Sequence, residues 1–408
     1  MDRIKPTAKQ LEFLDWEMGV FFHFGIRTFN EGRIDWDEKH MEPETFNPTE
    51  LDCGQWIRTI KEAGAKYAIL TAKHHDGFAN WPSKYTDYSV KNTPWKNGKG
   101  DVVKEFTDAC RKYDIKVGIY YSPAQFGYKK MSGKEYDDYF INQISELLTN
   151  YGKIDYLWFD GCGSENHQYD KDRIIKCIRG LQPEILIFSM WDPDVRWVGN
   201  EEGIVPFGSR NVVGSAKTSI NLQEEEWLDK PKFLPFECDC KIRRYNWFYS
   251  DNDIQYLRDM DDLKGLYENS VGRGGNLLLN IGPDRRGLLP DEDSRRFIDF
   301  GNAVKERFAN PLDVIVERDG NSYLIKPREN TLSVKTLVLA ENLTNGESIN
   351  GFTVSYNVFA GDTPMYYGKT VGHKQIINIT PLFLDDSRQI KIDITDADGD
   401  FELDIKAY

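Results

Sequence analysis

Over the first 300 residues, short and almost unbroken apolar runs alternate with stretches of helical period. The runs are MGVFFHFG (18–25), YAILTAK (67–73), KVGIYYS (116–122), YLWFD (156–160), ILIFSM (185–190), FLPFE (233–237) and NLLLNIG (276–282). Strands of a parallel sheet, covered by helices on both faces, lose the in/out alternation of a half-exposed strand and read this way. Between them, Val103, Phe106, Cys110 and Tyr113, then Phe140, Ile144, Leu147 and Leu148, and finally Phe297, Phe300, Val304 and Phe308 recur at helical spacing.

Strands interleaved with helices in this order predict an α/β fold, a (β/α)8-type, TIM-like barrel, with an eighth, weakly marked strand near Val212 and Val213. The alternative, an open doubly wound sheet, normally carries a glycine-rich phosphate turn, and none follows the first run. The pattern changes near Asn310–Pro311. Beyond it, Phe352, Val354, Tyr356 and Val358, then Ile390, Ile392 and Ile394, then Phe401, Leu403 and Ile405 alternate strictly, punctuated by Asp319–Gly320, Asn345–Gly346 and Asn350–Gly351. We therefore expect a catalytic barrel over 1–309 and a small C-terminal antiparallel β-sandwich over 310–408.

Composition narrows the partners. A net charge of -14 repels phosphate backbones and anionic lipid, so neither nucleic acid nor membrane is an expected partner. No apolar run approaches the roughly 20 residues of a membrane span. The opening MDRIKPTAKQ lacks a signal-peptide core, and the cysteines (Cys53, Cys110, Cys162, Cys177, Cys238, Cys240) lack the spacing of a disulfide framework. Both features predict a cytoplasmic setting.

In a barrel enzyme the reacting groups stand at the C-terminal ends of the strands, so the polar residues that end the apolar runs are the candidates. They are His23, His74, His75, Asp76, Asp160, Asp192, Asp194 and Glu237. Three of the six histidines fall on this one rim. A lone histidine there could simply cap a strand, but three beside carboxylates predict a shared polar pocket. Asp160 precedes a glycine and could be a turn former, yet Trp158 and Phe159 ahead of it place it at the mouth of a buried strand. Glycosidic cleavage needs one carboxyl group to attack the anomeric carbon and another to protonate the leaving oxygen. Asp160 suits the first role, and Glu201, Glu202 and Glu237 remain open for the second.

These motifs resemble a known family. FFHFG, TAKHHDGF, WPSKY, SVKNTPWKNGKGD, ELLTNYG, LWFDG, WFY and SVGRGGNLLLNIGPDRRG, in that order from about residue 15 to residue 308, resemble the glycoside hydrolase family 29 α-L-fucosidases. The resemblance implies a retaining exo-α-L-fucosidase acting on fucosylated oligosaccharides or glycoconjugates without cofactor or metal. It implies a fucose pocket in which His23, Trp36, His74, His75 and Trp158 bind the sugar and Asp160 is the nucleophile. The stretch PDVRWVGNE resembles the acid/base motif of the α-1,3/1,4-linkage subfamily, which selects Glu201, with Glu237 as the alternative. The chain departs from many relatives at YYSPAQFGYKK and at GCGSENHQYD, two loops that border the leaving-group side.

Two rival readings come from other classes. His23, His74, His75, Asp76 and Asp160 could ligate a metal in a metal-dependent hydrolase, although no His-x-His or His-Glu-x-x-His spacing is present. A non-catalytic fucose-binding barrel is the second.

Overall fold

The computed structural model describes residues 3–30, 37, 39–124, 131–163, 167–217, 225–329, 331–348, 354–385, 387–397 and 401–408. Its centre is a ring of parallel strands: β1 (Met18–Phe22), β2 (Tyr67–Lys73), β3 (Lys116–Tyr121), β4 (Tyr156–Phe159), β5 (Leu186–Phe188), β6 (Arg196–Trp197), β7 (Phe236–Lys241) and β8 (Asn276–Asn280). Neighbours in sequence are neighbours in the ring, and β8 returns to β1. Between β5 and β6 the ring closes through one parallel bridge, Phe188 to Val195.

The expected barrel is present, with two differences of detail. The Val212–Val213 run is not a barrel strand; Val212–Ala216 pairs antiparallel with Glu226–Phe233 as a hairpin outside the ring. The missing strand is β6, too short at two residues to leave a periodic signature. The FLPFE run is also split. Phe233 ends the hairpin and β7 starts at Phe236, because Pro235 between them has no N–H to give a ladder.

The helices are α1 (Ala8–Trp16), α2 (Cys53–Ala63), α3 (Val102–Lys112), α4 (Gly133–Asn150), α5 (Lys171–Leu181), α6 (Met260–Asn269) and α7 (Asp291–Arg307). Aspartates start four of them: Asp52, Asp101, Asp170 and Asp259 each accept a backbone N–H of the first turn. Outward-facing strand residues such as Leu157 and Phe159 pack under these helices with Phe106, Phe140, Phe297 and Phe300. Inward-facing residues form a second, largely aromatic core of Phe21, Tyr67, Tyr120, Tyr156, Trp158 and Phe188. Phe13 and Trp16 of α1 plug its base against Tyr156 and Tyr67, at ring-centroid distances of 5.4 and 5.3 Å. The barrel is thus closed below and open at the C-terminal ends of its strands.

From Val314 onward, two antiparallel sheets, one of five strands and one of three, share a core that includes Ile325, Leu337, Leu339, Val358, Ile377 and Ile392. Phe352 and the Asn350–Gly351 turn lie outside the described residues. These sheets dock on the barrel through Ile376, whose N–H donates to the Gly272 carbonyl at 2.9 Å, and through Arg307, which donates to Asn378 Oδ1 at 2.6 Å. Buried Glu347 accepts the N–H groups of Asn211 and Val212 at 2.9 and 3.0 Å. His373 faces Asp15, near the base of the barrel, 3.7 Å away.

The helix ring closes where α7 crosses α2 at Gly301. A Cβ built there would stand 2.0 Å from the Ala63 carbonyl oxygen, so even alanine must push the two helices apart. Gly301→Ala should lower unfolding stability by about 1–3 kcal/mol in urea titration; an unchanged midpoint would show that α7 can shift without loss.

Candidate active site

The open end gathers the candidates. His23 directly follows β1, His74 and His75 follow β2, and Asp160 follows β4. Asn280, the last residue of β8, ties this rim together: its Oδ1 lies 2.7 Å from His23 Nδ1 and accepts the His23 backbone N–H at 3.3 Å, while its amide donates to the Trp247 carbonyl at 2.7 Å. Trp247 and Phe248, on the loop after β7, pack on His23 at 4.9 and 5.4 Å. His74 lies nearly parallel to Tyr120 at 5.6 Å, and its buried Nδ1 meets no hydrogen-bond partner among the described residues.

Asp160 carries the charge of the site. Its Oδ2 accepts the Tyr120 hydroxyl at 2.9 Å and faces His75 Nε2 at 3.4 Å, and its Oδ1 accepts the Cys162 N–H at 3.0 Å. His75 Nδ1 is 2.6 Å from Ser122 Oγ, which already accepts the Ala124 N–H. Donation from Ser122 to Nδ1 leaves the ring proton on Nε2, toward Asp160. Burial pushes the Asp160 carboxyl up, but His75, the Cys162 N–H and the Tyr120 hydroxyl outweigh it and hold its pKa at about 2. With 24% of its side chain exposed, it is an ionised group that remains reachable.

The histidines go the other way. Burial, only partly offset by Asn280, lowers His23 to about 3, and burial with His75 and His23 nearby takes His74 well below its ordinary value. At neutral pH both rings are uncharged, each able to donate to one hydroxyl and accept from another. Trp158 lies beneath Asp160, 4% exposed, stacked on Phe188 at 4.1 Å and on Tyr120 at 5.5 Å. Trp36 lies outside the described residues.

Glu201 sits on the rim after β6, in the left-handed backbone region at φ 64°. Its segment is pinned to β7 by Val198 N–H to the Glu237 carbonyl and Gly203 N–H to the Asp239 carbonyl, both at 3.0 Å. The protein packed around its carboxyl raises the pKa; Lys241 and a hydrogen bond from Trp247 oppose this, and Asp160 adds to it. Its neighbour Glu202 is drawn 3.9 Å from Arg258 instead.

Glu237 is not at a strand end. It is the second residue of β7 and fully buried inside the barrel, where Oε2 accepts the Tyr67 hydroxyl at 2.5 Å and Oε1 accepts the Trp158 indole N–H at 3.0 Å and the Tyr156 hydroxyl at 3.2 Å. Tyr67 and Tyr156 are the first residues of their strands, so this carboxyl belongs to a layer below the mouth. Asp192 and Asp194 also leave the site, bound to Arg179 at 3.0 and 2.8 Å. Asn280 and Lys241 end β8 and β7 and could have been found by the strand-end rule; Tyr120, inside an apolar run, carries no such signal. Among the described residues, no three or more His, Cys, Asp or Glu side chains are grouped to hold a metal ion.

Comparison with known proteins adds a second line. The family model described as Alpha-L-fucosidase matches residues 2–307. Alpha-L-fucosidase 1 of Arabidopsis thaliana is 37% identical over 317 residues, covering 75% of this chain and 62% of its own. The chain thus spans less than two thirds of that relative's length. Among solved structures, a glycoside hydrolase 29 family member from an unknown rumen bacterium superposes with a TM-score of 0.87 at 30% identity, over 100% of this chain and 78% of that one. A Ruminococcus gnavus GH29 fucosidase in complex with fucose superposes with a TM-score of 0.84 at 25% identity, over 100% and 95%.

The depth of Glu237 has a measurable consequence. Burial pushes its carboxyl up to about 8, so the folded protein holds this proton more tightly than the unfolded chain does. That contribution is full below the unfolded value of about 4.3 and is lost as pH rises toward the folded one. Glu237→Gln, which keeps the neutral shape, lacks it. Its stability relative to the parent should improve, by up to roughly 4 kcal/mol, as pH is raised from about 5 to about 8; parallel stability curves in urea would contradict a buried neutral acid.

Proposed function

The chain belongs to the α-L-fucosidase family, and on that premise we propose that it is a retaining exo-α-L-fucosidase releasing terminal α-linked L-fucose from oligosaccharides or glycoconjugates. The observation that carries this reading is Asp160: a reachable carboxylate held ionised by the donors aimed at it, at the open end of a barrel lined largely with aromatic side chains.

In the proposed mechanism one Asp160 oxygen attacks the anomeric carbon while Glu201, protonated, gives its proton to the leaving oxygen. The fucosyl ester on Asp160 is then hydrolysed by a water that Glu201, now a carboxylate, deprotonates, and two inversions give net retention. The raised pKa of Glu201 supports its acid role, and the low pKa of Asp160 supports nucleophilic attack. His23, His74 and His75 take sugar hydroxyls. The orphaned Nδ1 of His74 is a ready acceptor or donor for one of them. Trp158 and Trp36 complete the fucose pocket in this reading. Glu237, deep in the barrel, is set aside as the acid in favour of Glu201.

The catalytic unit is taken as 1–309, with 310–408 as a sandwich that buttresses it and supplies no reacting group. The six cysteines, none of them in a disulfide, accord with the proposed reducing, cytoplasmic setting. The proposed linkage preference is α-1,3/1,4, resting on the resemblance of the segment that ends at Glu201.

Assay of free fucose from an α-L-fucoside separates this enzyme from a fucose-binding barrel. Asp160→Ala should cut that release by about a thousandfold or more while the protein stays folded, and azide should restore turnover with β-fucosyl azide as product. Near-parental hydrolysis by folded Asp160→Ala would remove the assignment. For linkage, kcat/KM should be highest on a branched Lewis-type trisaccharide, above a linear α-1,2-fucosyl disaccharide and an aryl fucoside; fastest cleavage of the linear sugar would exclude the α-1,3/1,4 preference.

A further inference from the structure

A third carboxyl faces the same space and has no part in the mechanism above. Asp239 lies on the inward face of β7, two residues above Glu237, and is 4% exposed. Its Oδ1 accepts the Trp197 indole N–H at 2.8 Å, and its backbone carbonyl accepts the Gly203 N–H at 3.0 Å. Trp197 and Gly203 bracket Glu201. The Gly203 end packs closely on its neighbours: φ is +70°, and a Cβ there would lie 2.7 Å from Cys240 Sγ and 3.0 Å from Leu266. The Trp197 end has only two residues of ladder, Arg196 to Phe236 and Trp197 to Glu237, so its side-chain anchor matters more.

We infer that Asp239 is the positioning residue of the acid/base segment, holding Trp197 so that the rim from 197 to 203 presents Glu201 to the pocket. The inference rests on the assignment of Glu201 as acid/base. Three further observations support it. Lys217 Nζ sits 4.4 Å over the Trp197 ring, so the indole is held by a cation on its face as well as by the Asp239 carboxyl at its N–H. The Trp197 backbone N–H donates to Ser189 Oγ at 3.2 Å, fixing the backbone from which the ring projects. Burial, followed by the charge of Glu201, pushes the Asp239 carboxyl up to about 7, and Asp160 raises it further, which places the three carboxyls within electrostatic reach of one another.

A residue that positions only the proton donor should matter in proportion to how much the leaving group needs that proton. The test compares kcat/KM for a 4-nitrophenyl α-L-fucoside and for a fucosyl disaccharide in the parent, Glu201→Ala, Asp239→Ala, Asp239→Asn and Trp197→Phe proteins, each checked for an unchanged thermal midpoint. Asp239→Ala should lose about 100-fold or more on the disaccharide and only about fivefold or less on the aryl substrate, in the pattern of Glu201→Ala. Asp239→Asn, which keeps an acceptor oxygen for Trp197, should recover most of that loss. Trp197→Phe, which keeps the ring and loses the N–H, should reproduce it and stands in if Asp239→Ala does not fold. Equal losses on both substrates, or none, in folded Asp239→Ala and Trp197→Phe would overturn the positioning role while leaving Glu201 intact. Absence of leaving-group dependence in Glu201→Ala would overturn the acid/base assignment and the inference with it.

Discussion

Charge is hard to keep inside an aromatic barrel, and the layout of this protein follows from where that cost is met. Three carboxyls, Glu237, Asp239 and Asp160, project into the same lumen from two strands. Each loses water, and water loss alone raises a carboxyl pKa. At Glu237 and Asp239 it prevails, pushing the carboxyls up to about 8 and about 7. Only at Asp160 do the neighbours win. A hydroxyl, a backbone N–H and an imidazole converge on its two oxygens and bring it to about 2. Asp160, the proposed nucleophile, is therefore set apart by donors aimed at it, not by being the sole acid in the site.

The rest of the rim serves that imbalance. Tyr120 reaches Asp160 because its ring is stacked between His74 above and Trp158 below, and Trp158 is in turn held by Glu237. A buried acid at the bottom of the barrel thus fixes the ring on which the Tyr120 hydroxyl facing Asp160 rests. Desolvation also keeps His23 and His74 uncharged, so they form no ion pair with Asp160 and, in the proposed mechanism, would not repel positive charge developing at the anomeric carbon. The loop that carries Glu201 is built differently: it is exposed, takes a left-handed turn at Glu201 itself and is tied to β7 at both ends.

Much of this was legible in the chain. Parallel strands covered on both faces produce continuous apolar runs, and the polar residue ending each run named His23, His74, His75 and Asp160 without reference to coordinates. The rule failed where the physics behind it was absent. β6 is two residues long and carries no periodicity, so Val212 and Val213, in an external hairpin, stood in for it. Pro235 divides a run that looks continuous in composition, which made Glu237 appear to end a strand that it begins. Tyr120 reads as a core residue, and Trp158 is expected beside the sugar; only the fold shows that their polar atoms point at Asp160 and Glu237. The role of Glu201 came from resemblance and not from periodicity, since an exposed acid among 66 acidic residues has no signal of its own.

In the proposed mechanism Asp160 forms a covalent bond to the sugar. Treatment with a 2-deoxy-2-fluoro-L-fucosyl fluoride, whose fluorine slows ester breakdown more than ester formation, should trap that species, and peptide mass spectrometry should place the label on Asp160. A label on any other residue, or turnover of α-fucosides with β-L-fucose as the first-formed product and no trapped adduct, would contradict it.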